Sequence, residues 1–132
     1  MSRNKRFDNW NQCKKRIDAS KLWPYFSVGE IWSVNLGQNV SSETQGKGSD
    51  FLRPVLVLKK LYVDGLLVVP LSTKERRGDY FFSFSDSRGI KQYALLAQIR
   101  YLDARRLRYK KSKIGTKDFS QLVYQLIELI KK

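Results

Sequence analysis

The sequence predicts a mainly β, α+β protein: an antiparallel, partly closed barrel with a C-terminal helix and an added N-terminal helix. Three observations carry this. Between Gly29 and Leu102 the apolar residues either alternate or form short β-rich runs, both of them strand signals. The closing stretch "TKDFSQLVYQLIELIKK" switches to helical period. The first 28 residues differ from both, with seven Lys/Arg against two Asp/Glu and Phe7, Trp10, Ile17 and Leu22–Trp23 at mostly helical spacing. Strands in succession followed by one helix suit an antiparallel barrel with the helix packed on it.

Taken in order, residues 1–28 form a basic helical extension whose helix ends before Pro24, since proline cannot continue it. Its apolar stripe packs either on the protein's own core or on a partner. Residues 29–132 form the barrel domain. In "EIWSVNL", Trp32, Val34 and Leu36 fall on one face and Ser33 and Asn35 on the other, the pattern of a half-buried strand. Then come sixteen polar and Gly-rich residues, "GQNVSSETQGKGSDFL", longer than an ordinary connection and of the kind used for function. "PVLVLKKL" and "LLVVPLS" are core strands joined by "YVDG", where Asp64 and Gly65 suit a tight turn. "YFFSF" and "YALLAQIRYL" supply further strands, followed by the basic segment "DARRLRYKKSKIG". Thr116 is placed to cap the last helix, with Phe119, Leu122, Val123, Leu126, Ile127 and Ile130 on one apolar face.

Bulk composition narrows the function. A chain of 132 residues, 42% hydrophobic, has material for one core and not for two. The formal charge of +14 calls for a polyanionic partner, whether nucleic acid, an acidic protein or an anionic membrane surface. The single cysteine, Cys13, has no partner within the chain, and no Cys/His set could build a zinc site, so no metal or other cofactor is expected. No segment reads as a signal peptide or a membrane span, and a soluble, cytoplasmic protein is expected. Because the chain has no histidine, any catalysis must use carboxylates, hydroxyls, amides and guanidinium groups.

Two places could carry chemistry. Arg53 stands before Pro54 at the mouth of one core strand, and Ser72 and Thr73 end the next. If these strands pair as a hairpin, Arg53 and a hydroxyl meet at the end remote from the turn, as a phosphate site requires. The other reading pairs Arg53 with a local carboxylate such as Glu43 or Asp50 and leaves the hydroxyls merely ending a strand. In "RRLRYKKSK" the basic residues alternate with Leu107 and Tyr109. This segment either tracks an RNA backbone with Tyr109 stacking, or is a solvated basic strand.

From Gly29 onward the chain resembles the MazF/PemK (Kid) family of toxin–antitoxin ribonucleases. The motifs that carry the resemblance are "GEIWSVNL", "SSETQGKG", "RPVLVL", "VVPLST" and "LLAQIRYLDARRL", in the family's order and followed by a C-terminal helix. The resemblance implies an SH3-like barrel and a homodimer. It also implies metal-independent cleavage of single-stranded RNA, mRNA in particular, by attack of the 2′-hydroxyl. The products are a 2′,3′-cyclic phosphate and a 5′-hydroxyl. An acidic antitoxin protein is the implied partner that keeps the toxin inactive, and no membrane is involved.

Position by position, the resemblance puts Arg53 on the family's RP arginine, Ser72 on its catalytic hydroxyl with Thr73 adjacent, and Glu43 on the acidic residue of its loop. Gln98 and Arg100 match its "QIR". Arg53 then stabilises the charge of the phosphorane, Ser72 or Thr73 orients the phosphate, and Glu43 is the available base. Lys47, Gln98, Arg100, Arg105, Arg106 and Tyr109 are the implied RNA contacts. Ser42 and Ala97 stand where some members have His and Asp, so the His/Asp version of the mechanism cannot operate here. A non-catalytic member of the same fold, binding RNA or inhibiting a protein, is the alternative.

Overall fold

The computed structural model describes residues 24–36 and 52–132. The predicted N-terminal helix and the loop carrying Glu43, Lys47 and Asp50 lie outside them. Seven strands follow in chain order: β1 (Glu30–Asn35), β2 (Leu52–Tyr62), β3 (Gly65–Ser72), β4 (Phe81–Ser85), β5 (Lys91–Leu95), β6 (Arg100–Asp103) and β7 (Leu107–Lys113). Short 3-10 turns at Leu96–Gln98 and Ala104–Arg106 separate the last three, and helix α1 (Thr116–Lys131) follows β7. Every pairing is antiparallel, in the order β4-β5-β3-β2-β1-β7, with β6 on the same edge of β3 as β5 but lower down.

The two end strands of that path are drawn together, which makes the sheet a partly closed barrel. Ser87 N donates to Lys113 O at 3.0 Å, Lys113 N to Ser87 Oγ at 3.1 Å, and Ser112 Oγ to Asp86 Oδ2 at 3.1 Å. The predicted antiparallel barrel and C-terminal helix are therefore present in the described residues.

Alternation along the strands sorts the core into two layers. Trp32, Val34, Val55, Val57, Leu66, Val68, Leu102 and Leu107 pack on one face, together with Phe26. Ile31, Leu56, Val69, Leu71, Phe84 and Ala94 pack on the other, under Leu122 of α1. Each Val, Leu, Ile or Phe side chain among them, removed from water, contributes about 1.5–3 kcal/mol.

Three local expectations need correction. β1 is not half-buried: Ser33 and Asn35 are 3% and 1% exposed, because β2 and β7 flank the strand and the second layer covers its other face. The hairpin turn is centred one residue earlier than predicted, since Gly65 already pairs with Tyr62 as part of β3. Thr116 is the first helical residue rather than the cap. Gly115 holds the cap position without a side-chain hydrogen bond, and Asp118 in the first turn meets the helix dipole instead.

The helix's apolar face is also split. Leu122 is buried, with Phe119, Leu126 and Leu129 packed beside it, whereas Ile127 and Ile130 are 48% and 68% exposed. Among the described residues no helix is long and apolar enough to cross a membrane.

Candidate functional site

Register brings the predicted pair together. β2 and β3 align Val55 with Pro70, Leu56 with Val69 and Val57 with Val68; continued past the last pair, the same register sets Arg53 opposite Ser72. On its other side Arg53 pairs with Val34 of β1. Residues directly opposite in an antiparallel sheet share a face, so Val34, Arg53 and Ser72 form a row at the open end of the first core layer.

Arg53 is half-buried, and its Nε is buried without a hydrogen-bond partner among the described residues. Burial, and after it the charge of Arg76, pushes the guanidinium pKa down from its ordinary value. Both causes disfavour the cation, and no described carboxylate pairs with it. A buried donor left unpaired costs about 1–3 kcal/mol, so this position is held against stability. Its geometry and charge suit an incoming anion, which would satisfy the guanidinium.

Ser72 is buried, and its Oγ accepts a 3.1 Å hydrogen bond from Lys74 N. The hydroxyl oxygen is thereby oriented while its proton remains available for donation. Thr73, next along, is exposed. The backbone turn closed by Ser72 starts the segment Lys74–Asp79 directly at the site. Its far end is held by Gln125 of α1, whose Nε2 donates to Asp79 O at 2.7 Å and Phe81 O at 3.0 Å.

The remaining predicted residues spread around this end. Arg106 Nη1 donates to Asn35 O at 3.3 Å, one residue past Val34, which keeps Arg106 beside the Arg53 row. Arg105 is tied to Asp103 through its backbone N, Nε and Nη2 at 2.8, 3.0 and 2.9 Å, and these contacts hold the Asp103 carboxyl below its ordinary pKa. Gln98 lies in the 3-10 turn after β5, and Arg100 pairs with Val68, four residues along β3 from Ser72. Four residues of strand span about 13 Å, so Arg100 stands well down the same face. Tyr109 pairs with Ser33 and so points to the opposite face from Val34 and Arg53. Glu43 and Lys47 lie outside the described residues.

Arg76 is the residue that sequence reading passed over. The signal was "KERR" directly after "PLST", but a run of charge at a strand end is ordinarily a solvated turn. Among the described residues no group of three or more His, Cys, Asp or Glu is placed to hold a metal ion.

A partly closed antiparallel barrel with one closing helix is also the fold of solved MazF toxins. Among solved structures it resembles MazF from Deinococcus radiodurans (TM-score 0.66, 17% identity, covering 85% of this chain and 100% of that one). It also resembles an endoribonuclease in complex with its cognate antitoxin from a mycobacterial species (TM-score 0.64, 14% identity, 81% and 96%). MazE–MazF from Deinococcus radiodurans gives a TM-score of 0.61 at 16% identity, covering 83% and 97%. No curated protein matches the chain by sequence. Residues 27–130 match the family described as PemK-like, MazF-like toxin of type II toxin–antitoxin system, and the chain belongs to that family.

Proposed function

We propose that this toxin is a metal-independent endoribonuclease that cleaves single-stranded RNA, mRNA included, at short sequences. The observation that carries the reading is Arg53: half-buried, its Nε unpartnered, set opposite Ser72, with another cation acting on it. The ribose 2′-oxygen attacks the adjacent phosphorus, the P–O5′ bond breaks, and a 2′,3′-cyclic phosphate and a 5′-hydroxyl result. Arg53 donates to the non-bridging oxygens as charge builds on the phosphorane, a type of stabilisation worth about 10²–10³ in rate. Protonated throughout the working range and with no acceptor lone pair, the guanidinium cannot take the 2′-proton itself.

Ser72 directs its remaining proton at a phosphate oxygen, and Thr73 offers a second hydroxyl beside it. Glu43 takes the 2′-proton, and water protonates the leaving 5′-oxygen. Gln98 and Arg100 orient the strand, and Lys47, Arg105 and Arg106 line its path, whereas Tyr109, on the opposite face, takes no part in it.

The reading brings partners with it: an acidic antitoxin, attracted by the +14 charge, and a second copy of the chain in the cytoplasm. The exposed Ile127 and Ile130 support an apolar contact on α1, and light scattering of the purified protein tests for the dimer.

Incubation with a long single-stranded RNA in EDTA, beside Arg53→Ala, tests the activity. Recurrent short cleavage sites with 5′-hydroxyl ends, lost in the variant, are expected. A second reading rests on the missing histidine and on Ala97: the same cations grip RNA or a protein without cutting. Tight RNA binding with no cleavage, or growth arrest that leaves cellular RNA intact, favours that reading.

A further inference from the structure

We propose that Arg76 is the second cation of this site and holds the phosphodiester next to the one held by Arg53 and Ser72. The inference rests on the reading that RNA phosphate occupies the Arg53 row. Its first support is where the chain goes after Ser72. The Ser72 Oγ to Lys74 N hydrogen bond turns the backbone at the site itself, and Gln125 fixes Asp79 and Phe81 at the other end. A further bond, Phe81 N to Gly78 O at 3.2 Å, tightens that end. Residues 74–77 are therefore a short bridge anchored at both ends, starting beside the row that holds Arg53.

The second support is charge. Glu75 is engaged with Arg77 at 3.4 Å, so the bridge's one carboxylate is turned to Arg77. Arg76 has no paired carboxylate among the described residues, and its charge reaches Arg53. Two guanidinium groups that repel each other are stabilised together when anions arrive between and beside them.

The third support is exposure. Arg53 is half-buried in the row with Ser72, whereas Arg76 is exposed on the bridge. They meet different parts of a polyanion, and a single RNA strand brings its neighbouring phosphates on one backbone. Arg76 thus binds substrate and transition state equally, so its loss raises KM and spares kcat. This is a binding role, separate from the rate role of Arg53.

The test uses the full-length wild type, Arg76→Ala, Arg76→Lys and Arg53→Ala. Cleavage of a long single-stranded RNA gives kcat and KM. Binding of a single-stranded deoxyoligonucleotide, which lacks the 2′-hydroxyl and is not cut, gives the salt dependence. Arg76→Ala is expected to raise KM roughly fivefold and to flatten the slope of log K against log salt by about 0.7, and Arg76→Lys to restore most of both.

An unchanged KM and slope in Arg76→Ala, with Arg53→Ala inactive, overturns the assignment of Arg76 and leaves the ribonuclease reading standing. A fall in kcat at unchanged KM also overturns it, by moving Arg76 to the reaction centre. A wild type that binds the deoxyoligonucleotide with the Arg76-dependent slope but cuts no RNA sinks the nuclease reading and keeps the anion site.

Discussion

Ser112 Oγ donates to Asp86 Oδ2 at 3.1 Å, joining the last residues of β7 to the β4–β5 hairpin across 26 residues of sequence. The same carboxylate accepts from Arg88 N, Ile90 N, Arg88 Nη2 and Gln92 Nε2 at 2.8, 3.1, 2.9 and 3.2 Å. Its side chain is fully buried, and every partner is a donor. Burial pushes its pKa up, but the hydrogen bonds from Arg88 and Gln92 outweigh this and hold it well below the ordinary 3.8.

Asp86→Asn is therefore expected to cost about 3 kcal/mol, because an amide presents its own N–H groups to a cage of donors. The pH dependence has a definite sign. A depressed folded pKa contributes stability that is present above the ordinary carboxylate value and fades as pH falls through the folded one. Denaturant midpoints measured from pH 6 down to pH 2 should fall more steeply for the wild type than for Asp86→Asn. Parallel curves would show that Asp86 does not clasp the barrel as an anion.

Arg53 gives the opposite trade. Its buried Nε lacks a partner and Arg76 repels it, so Arg53→Met, which keeps the apolar stem, is expected to raise stability by about 1 kcal/mol. RNA cleavage by the same variant should fall by about 10²–10³. Thermal melting and cleavage assays on one preparation check both. A destabilised Arg53→Met would mean that the guanidinium has a structural partner after all.

Much of this was legible in the residues, for reasons that also mark the limit. That Arg53 and Ser72 lie at the same end of one hairpin followed from two apolar runs and one short turn, but their register did not: carried on unbroken from the Tyr62–Gly65 pair, Arg53 would face Lys74, and the two register shifts between β2 and β3 move the alignment to Ser72. Local periodicity could not show that Ser33 and Asn35 are covered, because the strands that flank them, β2 and β7, and the second core layer come from elsewhere in the chain. Nor could it show the face of Tyr109. β7 meets β1 with two register shifts, and a bulge changes which residues line up without leaving a mark in composition. The loop glutamate assigned as base, Glu43, lies outside the described residues. The tie between Gln125 and the site's loop pairs residues 46 and 44 apart in the chain, beyond any sequence pattern.

Gly65 illustrates a constraint that is steric rather than conformational. A Cβ there would sit 2.5 Å from the Tyr101 hydroxyl and 2.7 Å from its ring, although the backbone is ordinary strand. Tyr101 is half-exposed, so it can swing away at a cost. Gly65→Ala is expected to lose about 1–2 kcal/mol. Tyr101→Ala should relieve most of that loss, so a double-mutant cycle on urea unfolding should show strong coupling between the two positions. Additive losses would mean that the turn itself, not the ring, needs glycine.

Gln125 offers a test of how the site's loop is held. It is only half-buried, and its two hydrogen bonds reach backbone carbonyls of Asp79 and Phe81, so Gln125→Ala should cost the barrel little, about 0.5–1.5 kcal/mol. The effect should instead be local. Without that anchor the bridge from Lys74 to Asp79 gains freedom, and cleavage by trypsin after Arg76 and Arg77 should become several-fold faster while the melting temperature barely moves. RNA cleavage should drop a few-fold, mainly through KM, because Thr73 and Arg76 ride on the same segment. Gln125→Glu is a sharper variant: it keeps the length but replaces a donor with an anion facing two carbonyls, and should loosen the loop at least as much as alanine. Trypsin rates equal to those of the wild type in both variants would show that the loop is fixed by Ser72 and its own turn alone.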